Sequence, residues 1–365
     1  MKDYYKTTAV PNHTLRKIFA LTVVLALLIV SALGIYGHSK LEEPLTYFSD
    51  PREFEVKKGE SVSSVGQRLQ EEHLIASVFS FRLYAFFRPE SKVQAGKFLL
   101  DSNMTVKQIL ENLSYGRGLA DEIKVTFVEG ETAAEFAQKL EQAGLVSRDG
   151  FVAAVRGFSK SVDYDFFSGK PSSATLEGYL FPDTYFFSKN SSAEDVIGKM
   201  LENFGRKLDG KLRAEILRQG KTIFEIVTMA ALVEGEVGRN FKPGTVLSKA
   251  EQERLSIERR LVAGVFYNRL RANRALESDA TISYITGKKR ASATLEETRL
   301  DHPYNTYRNR GLPPGPINNP SLDSILAAVR PAETDYFYFL SKPDGEAVFS
   351  KTLDEHNENK ARYLD

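Results

Sequence analysis

Residues Ile18 to Gly37 form twenty consecutive positions without a charge, dominated by Leu, Val, Ile and Ala. A helix of that length spans about 30 Å, the thickness of a bilayer's hydrocarbon core. A cleaved secretory signal has a shorter apolar region, about 7–15 residues, closed by a small-x-small site. Gly34-Ile-Tyr-Gly-His38 is a poor site of that kind, so the expectation is an uncleaved anchor. Lys2, Lys6, Arg16 and Lys17 precede the run against Asp3 alone, while Lys40 is followed by Glu42 and Glu43. The positive-inside rule then puts residues 1–17 in the cytoplasm, 18–37 across the cytoplasmic membrane, and everything after about residue 38 outside it. Wall polymers, secreted proteins and lipid-linked precursors are the substrates such a placement offers; soluble nucleotide cofactors are scarce there.

The remaining chain, to residue 365, is long enough for two or three domains. A formal net charge of +1 does not suit a nucleic-acid binder driven by a broad basic surface. The absence of cysteine removes disulfides, thiolate nucleophiles and cysteine zinc sites, and the five His residues form no HExxH pattern. Neither a metal nor a cofactor is expected.

Phe54 to Val65 alternates apolar and polar residues, turns at Lys58-Gly59 and then takes helical spacing through Val62, Val65 and Leu69. Seventy-one residues later the pattern returns in Val125 to Thr132, with Ala133, Phe136, Ala137 and Leu140 on one face. Gly59 corresponds to Gly130, Leu69 to Leu140, and Leu74-Ile75 to Leu145-Val146, which marks a duplicated β-turn-α unit. Between the copies, Ala95 to Leu100 and Met104 to Leu110 read as a further strand and helix, and Ser114 to Gly118 as a boundary loop.

Thr222 to Glu236 reads as an amphipathic helix opened by a capping box at Thr222 and Glu225. At about 100° per residue, Glu234 falls within roughly 40° of Ile223, Val227 and Ala230. An acid thus occupies a core-facing position, where burial would keep it protonated. Glu236 lies about 200° further round, so the two carboxyls cannot face one site while the helix continues. Gly235 between them suits a helix end or a close approach.

Helices are expected at 192–204 and 249–270, and three polar loops at 276–282, 303–307 and 311–320, the last held rigid by its prolines. Asp335 to Leu340 and Ala347 to Ser350 read as a hairpin, followed by a helix capped at Thr352 and Glu355.

Glu177-Gly-Tyr-Leu-Phe-Pro-Asp-Thr-Tyr185, Ala231-Leu-Val-Glu-Gly-Glu236, Val265-Phe-Tyr-Asn-Arg-Leu270, Ser278-Asp-Ala-Thr281, Tyr304-Asn-Thr-Tyr307 and Gly311-Leu-Pro-Pro-Gly-Pro-Ile317 together resemble the YceG-like family of membrane-anchored endolytic murein transglycosylases. The segment after residue 38 resembles a LysM-like wall-binding module, and it equally suits a plain α/β spacer. Two positions depart from the family pattern. Gly235 stands where a larger, usually basic residue is associated with it, and Ala280 where a Pro usually follows the matching Asp.

The resemblance implies an α+β chain. Its parts are a single N-terminal span, a LysM-like module with linker over 38–120, and a mixed α/β catalytic domain over 121–365 that opens with the second β-turn-α copy. It implies a peptidoglycan substrate, a non-hydrolytic cut between N-acetylmuramic acid and N-acetylglucosamine, and a role in ending glycan strands beside penicillin-binding synthases. Glu234 matches the family's acid. The expected cycle has Glu234 protonate the glycosidic oxygen and then take the proton of the muramyl C6 hydroxyl, which closes a 1,6-anhydro ring. Glu236, Asp279, Thr281, Asn305, Thr306 and Tyr307 are the candidates for binding the sugar, although the short polar residues among them suit turns equally well. Two other classes stand open. One is a wall-binding scaffold that holds glycan without cutting it; the other is a hydrolase pairing Glu234 with Glu236 or Asp279.

Overall fold

Each copy of the expected strand-turn-helix unit continues into a second helix and a closing strand. The computed structural model describes residues 52–88, 92–100, 102, 104–114, 122–158, 164–237, 247–288, 292–343 and 345–364. The expected tail, span and boundary loop at 115–118 lie outside them, and no helix among the described residues is long and apolar enough to cross a membrane. The chain divides into two compact units, up to Glu122 and from Ile123.

In the first unit, β1 (Arg52–Val56) leads through Gly59 to α1 (Val62–Glu71) and α2 (Val78–Phe86), then to β2 (Gly96–Leu100) and α3 (Val106–Ser114). Gly59 takes a left-handed φ of 81° in the turn Lys57–Glu60, which the Glu60 N–H closes by donating to the Lys57 carbonyl at 3.0 Å. Ser61 and Ser77 cap the two helices by accepting the backbone N–H groups of Ser64 and Ser80. β1 and β2 pair antiparallel with Phe54 opposite Phe98. Those rings close over Val65, Leu69, Phe81, Ile109 and Leu113 in a core of their own.

The second unit begins on the same plan. β3 (Glu122–Thr126), Gly130 at φ 77°, α4 (Ala133–Gln142) and α5 (Arg148–Gly157) repeat β1, Gly59, α1 and α2. Thr132 and Ser147 provide the caps. β4 (Thr184–Ser188) pairs with β3 after a longer connection through an aromatic cluster of Tyr164, Phe166, Phe167 and Tyr179. The duplicated element is therefore a whole β-α-α-β unit. Its sequence signal faded after the first helix because the later parts share only caps and apolar spacing.

Next come α6 (Ala193–Lys207), α7 (Gly210–Arg218), α8 (Ile223–Glu236) and α9 (Lys249–Arg271), then α10 (Asp279–Thr286) and α11 (Leu322–Val329). The expected hairpin forms from β5 (Tyr338–Ser341) and β6 (Ala347–Ser350), and α12 (Leu353–Tyr363) closes the described chain. The capping boxes expected at Thr222 and Thr352 are both made.

The helix read as amphipathic is corrected by its surroundings. From Ile223 to Val233 every residue except Glu225 is buried, because α7, α9, α10 and α11 all pack against α8. Phe224, Met229 and Leu232 fill the side opposite the expected stripe, and a helix apolar all round is a core helix. Each fully buried Ile, Leu, Met or Phe contributes about 1.5–3 kcal/mol, so α8 is a rigid post. A second correction concerns the polar loop at 276–282: from Asp279 it is helical, and α10 ends at Gly287 in the left-handed region.

Candidate active site

The last turn of α8 emerges from the core as Glu234-Gly235-Glu236, and the two acids diverge as the helical period requires. On one side, Glu234 Oε2 accepts the backbone N–H of Ser321 at 2.9 Å and also the Ser321 hydroxyl. Its Oε1 lies 3.5 Å from Arg259 Nη2 of α9, and the Glu234 side chain keeps only 7% of its exposure. The surroundings of this acid are thus donors and a cation, and the apolar contact expected from the helix face is made one turn earlier by Ala230 and Val227. Arg259 Nε is buried without a hydrogen-bond partner among the described residues.

Ser321 is delivered by the proline-rich loop that precedes it. It caps α11, accepting the Ser324 N–H, so its hydroxyl joins the cap of one helix to the terminal acid of another. Three anchors hold that loop. Asn318 Nδ2 donates to the Ala231 carbonyl of α8 at 2.9 Å. Pro316 seats against Gly178, where an added Cβ would meet it at 2.6 Å. Asn319 accepts the N–H groups of Gly178 and Leu180, and its Nδ2 donates to Glu177 Oε1 at 2.9 Å and to the Glu131 carbonyl at 3.1 Å. Glu177 also accepts the Ala133 N–H at 2.9 Å. Burial pushes its carboxyl up to about 8, against the hydrogen bonds from Ala133 and Asn319.

These contacts bring the turn of the second β-α-α-β unit to the site. Gly130 N donates to the Asn319 carbonyl at 2.9 Å, and an added Cβ on Gly130 would sit 3.5 Å from Glu234 Cγ. The tetrapeptide Val-Glu-Gly-Glu occurs twice, at 128–131 and 233–236. The first forms the turn beside the second. Glu129 is open to solvent along part of its length, yet the protein around its carboxyl raises its pKa. Glu234's charge adds to that shift and Arg259's opposes it.

On the other side of α8, Glu236 Oε1 accepts the Ser278 hydroxyl and the Ala280 N–H, the latter at 3.2 Å. Tyr307 donates its phenol to Asp279 Oδ1 at 2.7 Å. Burial, and then the Asp279 carboxylate, raise the phenol's pKa. Glu236, Asp279 and Tyr307 are all half-buried and gather at the start of α10. Thr281, Asn305 and Thr306 are sealed behind them, at 0%, 0% and 1% exposure. Thr281 Oγ1 and Thr306 Oγ1 bond each other at 3.0 Å, Thr306 Oγ1 accepts the Ser278 N–H, and Asn305 Nδ2 donates to the Thr298 and Leu300 carbonyls. These three side chains brace the loops that carry Ser278 and Tyr307, and their polar atoms are turned inward.

Arg259, Ser321 and Glu129 were not singled out from the sequence. Arg259 is one of two adjacent arginines on a long charged helix, and Ser321 reads as an ordinary cap; both reach Glu234 only through tertiary packing. Among the described residues no group of three or more His, Asp or Glu is placed to hold a metal ion.

Glu234 is thus an acid fixed at the end of a buried helix, oriented by a neighbouring helix cap and faced by an arginine. The chain matches the YceG-like family over residues 54–362 and belongs to it. It is 33% identical over 349 residues to the endolytic murein transglycosylase of Bacillus subtilis strain 168, covering 92% of this chain and 91% of that one. It is 28% identical to the endolytic murein transglycosylase of Streptococcus pneumoniae serotype 2 strain D39, covering 95% of this chain and 65% of that protein. A crystal structure of a YceG-like protein from Listeria monocytogenes superposes with a TM-score of 0.55 at 29% identity, covering 86% of this chain and all of that one.

Proposed function

We propose that this chain is an endolytic lytic transglycosylase of peptidoglycan, with Glu234 as the one group that gives and then takes the proton. The reading rests first on the carboxyl of Glu234, held between Ser321 and Arg259 at the end of a buried helix. It is supported by the names of the relatives in Bacillus subtilis and Streptococcus pneumoniae.

In this account Ser321 occupies Oε2 with two donors, which leaves Oε1 to carry the exchangeable proton. Oε1 protonates the oxygen between N-acetylmuramic acid and N-acetylglucosamine as that bond breaks. The resulting carboxylate is stabilised by Arg259 at the moment charge appears, and by donors that need no reorganisation. It then removes the proton of the muramyl C6 hydroxyl while that oxygen bonds to C1. The products are a 1,6-anhydromuramyl end and a new N-acetylglucosamine 4-hydroxyl, and no water is consumed. Glu236, Asp279 and Tyr307 bind sugar hydroxyl and acetamido groups on the other side of the helix end, on loops braced by Thr281, Asn305 and Thr306. The enzyme is held by its apolar segment at 18–37 in the cytoplasmic membrane, works outside it beside penicillin-binding synthases, and ends nascent glycan strands.

Glu129 gives a second reading its one specific support, since it is a second carboxyl in the turn beside Glu234, near enough for Glu234's charge to add to its raised pKa. A hydrolase using that pair would activate water and leave reducing ends. Mass spectrometry of products from uncrosslinked glycan strands separates the readings. Internal cuts ending in 1,6-anhydromuramyl residues, still made by Glu129→Gln, are the expected result. Reducing ends lost in Glu129→Gln would establish the hydrolase, and binding without cutting by the unaltered chain would establish a scaffold.

A further inference from the structure

Among the described residues nothing covers the outer face of helix α2 in the first unit. Phe79, Leu83, Phe86 and Phe87 are 73%, 39%, 78% and 71% exposed. At about 100° per residue they fall within an arc of roughly 100°. Phe81, on the other side of the helix, is fully buried and fastens it to the core of the unit. Soluble domains scatter exposed apolar side chains singly; four large ones side by side on nine residues mark a surface that meets something apolar.

Charge and position say what that is. From Ile75 to Arg88 the sequence holds no acid and two arginines, Arg82 and Arg88, both exposed; Arg82 flanks the phenylalanine arc at helical spacing, and the Arg88 guanidinium lies 5.5 Å over the Tyr84 ring. Exposed aromatic rings next to a cation suit the boundary between acyl chains and anionic headgroups. A single helix face is convex, unlike the concave sites that enclose small ligands. Only residues 38–51 separate the apolar segment at 18–37 from β1, a reach of at most about 50 Å for an extended chain. On the reading that 18–37 spans the membrane, this unit never leaves the neighbourhood of the bilayer.

We infer that the Phe79–Leu83–Phe86–Phe87 face of α2 docks on the outer surface of the membrane that anchors the chain, its rings among the upper acyl chains and Arg82 and Arg88 at anionic headgroups. The first unit is then a foot on the bilayer.

The chain contains no tryptophan, so one substitution supplies a sole reporter. The full chain carrying Phe86→Trp is reconstituted in vesicles of phosphatidylglycerol and phosphatidylcholine, with and without bromine near the top of the acyl chains. Leu295→Trp, at 79% exposure in the second unit, is the control, and vesicle flotation reports the anchor separately. The expected result is blue-shifted Phe86→Trp emission that brominated lipid reduces by about half or more, since such a face sits roughly 5–10 Å into the headgroup and acyl boundary. Adding Arg82→Glu and Arg88→Glu weakens the quenching on phosphatidylglycerol vesicles. Emission like that of the Leu295→Trp control, in chains that float with the vesicles, overturns the docking and leaves the anchor standing. A blue shift that brominated lipid does not touch means another protein surface covers the face, and a shift that appears only on adding glycan means sugar does; either overturns it. Chains that fail to float overturn anchor and docking together.

Discussion

Gly235 and Ala280 touch so closely that a Cβ on residue 235 would lie 2.6 Å from the Ala280 Cβ. These are the two positions at which the chain departs from the pattern it resembles, and the structure makes them one contact between α8 and α10. Gly235→Ala brings about 1 kcal/mol of helix propensity but collides with an atom that cannot rotate away, at a cost of about 1–3 kcal/mol. The expected outcome is a lower melting temperature, by about 2–4 °C for each kcal/mol lost. Adding Ala280→Gly removes the colliding atom and recovers most of the loss. A double variant no better than Gly235→Ala would show that the contact does not limit the packing.

Ser321 serves two partners, and one pair of variants separates them. Ser321→Ala loses the α11 cap, worth about 1 kcal/mol, whereas Gly at that position costs a few tenths. Both lose the hydroxyl that holds Glu234 Oε2. Activity is therefore expected to fall alike in both, by roughly 10- to 100-fold in kcat, while only Ser321→Ala melts noticeably earlier. Activity that tracks the melting temperature would make Ser321 a helix cap and nothing more.

In the proposed cycle Arg259 positions Glu234 and stabilises its charge. Arg259→Gln keeps a polar side chain on α9 and removes the cation, and kcat is expected to drop by roughly 10- to 100-fold with KM within about threefold. Arg259→Lys restores part of the rate. A change confined to KM, with no rescue by lysine, would move Arg259 to substrate binding.

Glu177 ties pH to the scaffold. Burial pushes its carboxyl up to about 8 in the fold, against about 4.5 for a solvated glutamate. Below 4.5 the group is protonated folded and unfolded, and adds no pH dependence. Between 4.5 and about 8 the unfolded chain releases the proton while the folded one keeps it, so stability falls as pH rises and levels off above 8. The change across that window is of order a few kcal/mol. Glu177→Gln, neutral throughout, is expected to flatten this part of the profile in denaturant titrations. An unchanged slope would show that the buried carboxyl does not set it.

The divergence of Glu234 and Glu236 was legible because a helix has one period, and nothing beyond local spacing was needed. So were the caps at Thr222 and Thr352 and the two glycine turns, where a short polar side chain or a left-handed φ leaves a local mark. What surrounds α8 was not legible. Its sequence shows an apolar stripe, and only the helices packed on Phe224, Met229 and Leu232 make it a core helix. Arg259 and Ser321 lie 25 and 87 residues beyond Glu234, and nothing local says that they meet it. Thr281, Asn305 and Thr306 carry groups that suit sugar, but a hydroxyl that finds another hydroxyl inside the fold looks the same in sequence as one facing solvent. The second β-α-α-β strand escaped for a related reason: a long aromatic connection separates it from the helices it follows.

The most direct test of the account is Glu234→Gln in the full chain, assayed for both binding and cutting of uncrosslinked glycan strands. Glutamine keeps the shape and accepts the Ser321 bonds but has no proton to give or take. Glycan binding within about threefold of the unaltered chain, with 1,6-anhydromuramyl products reduced by at least about 10²-fold, is the predicted result. Anhydro ends formed at an undiminished rate by the variant would contradict it, and would place the acid elsewhere than Glu234.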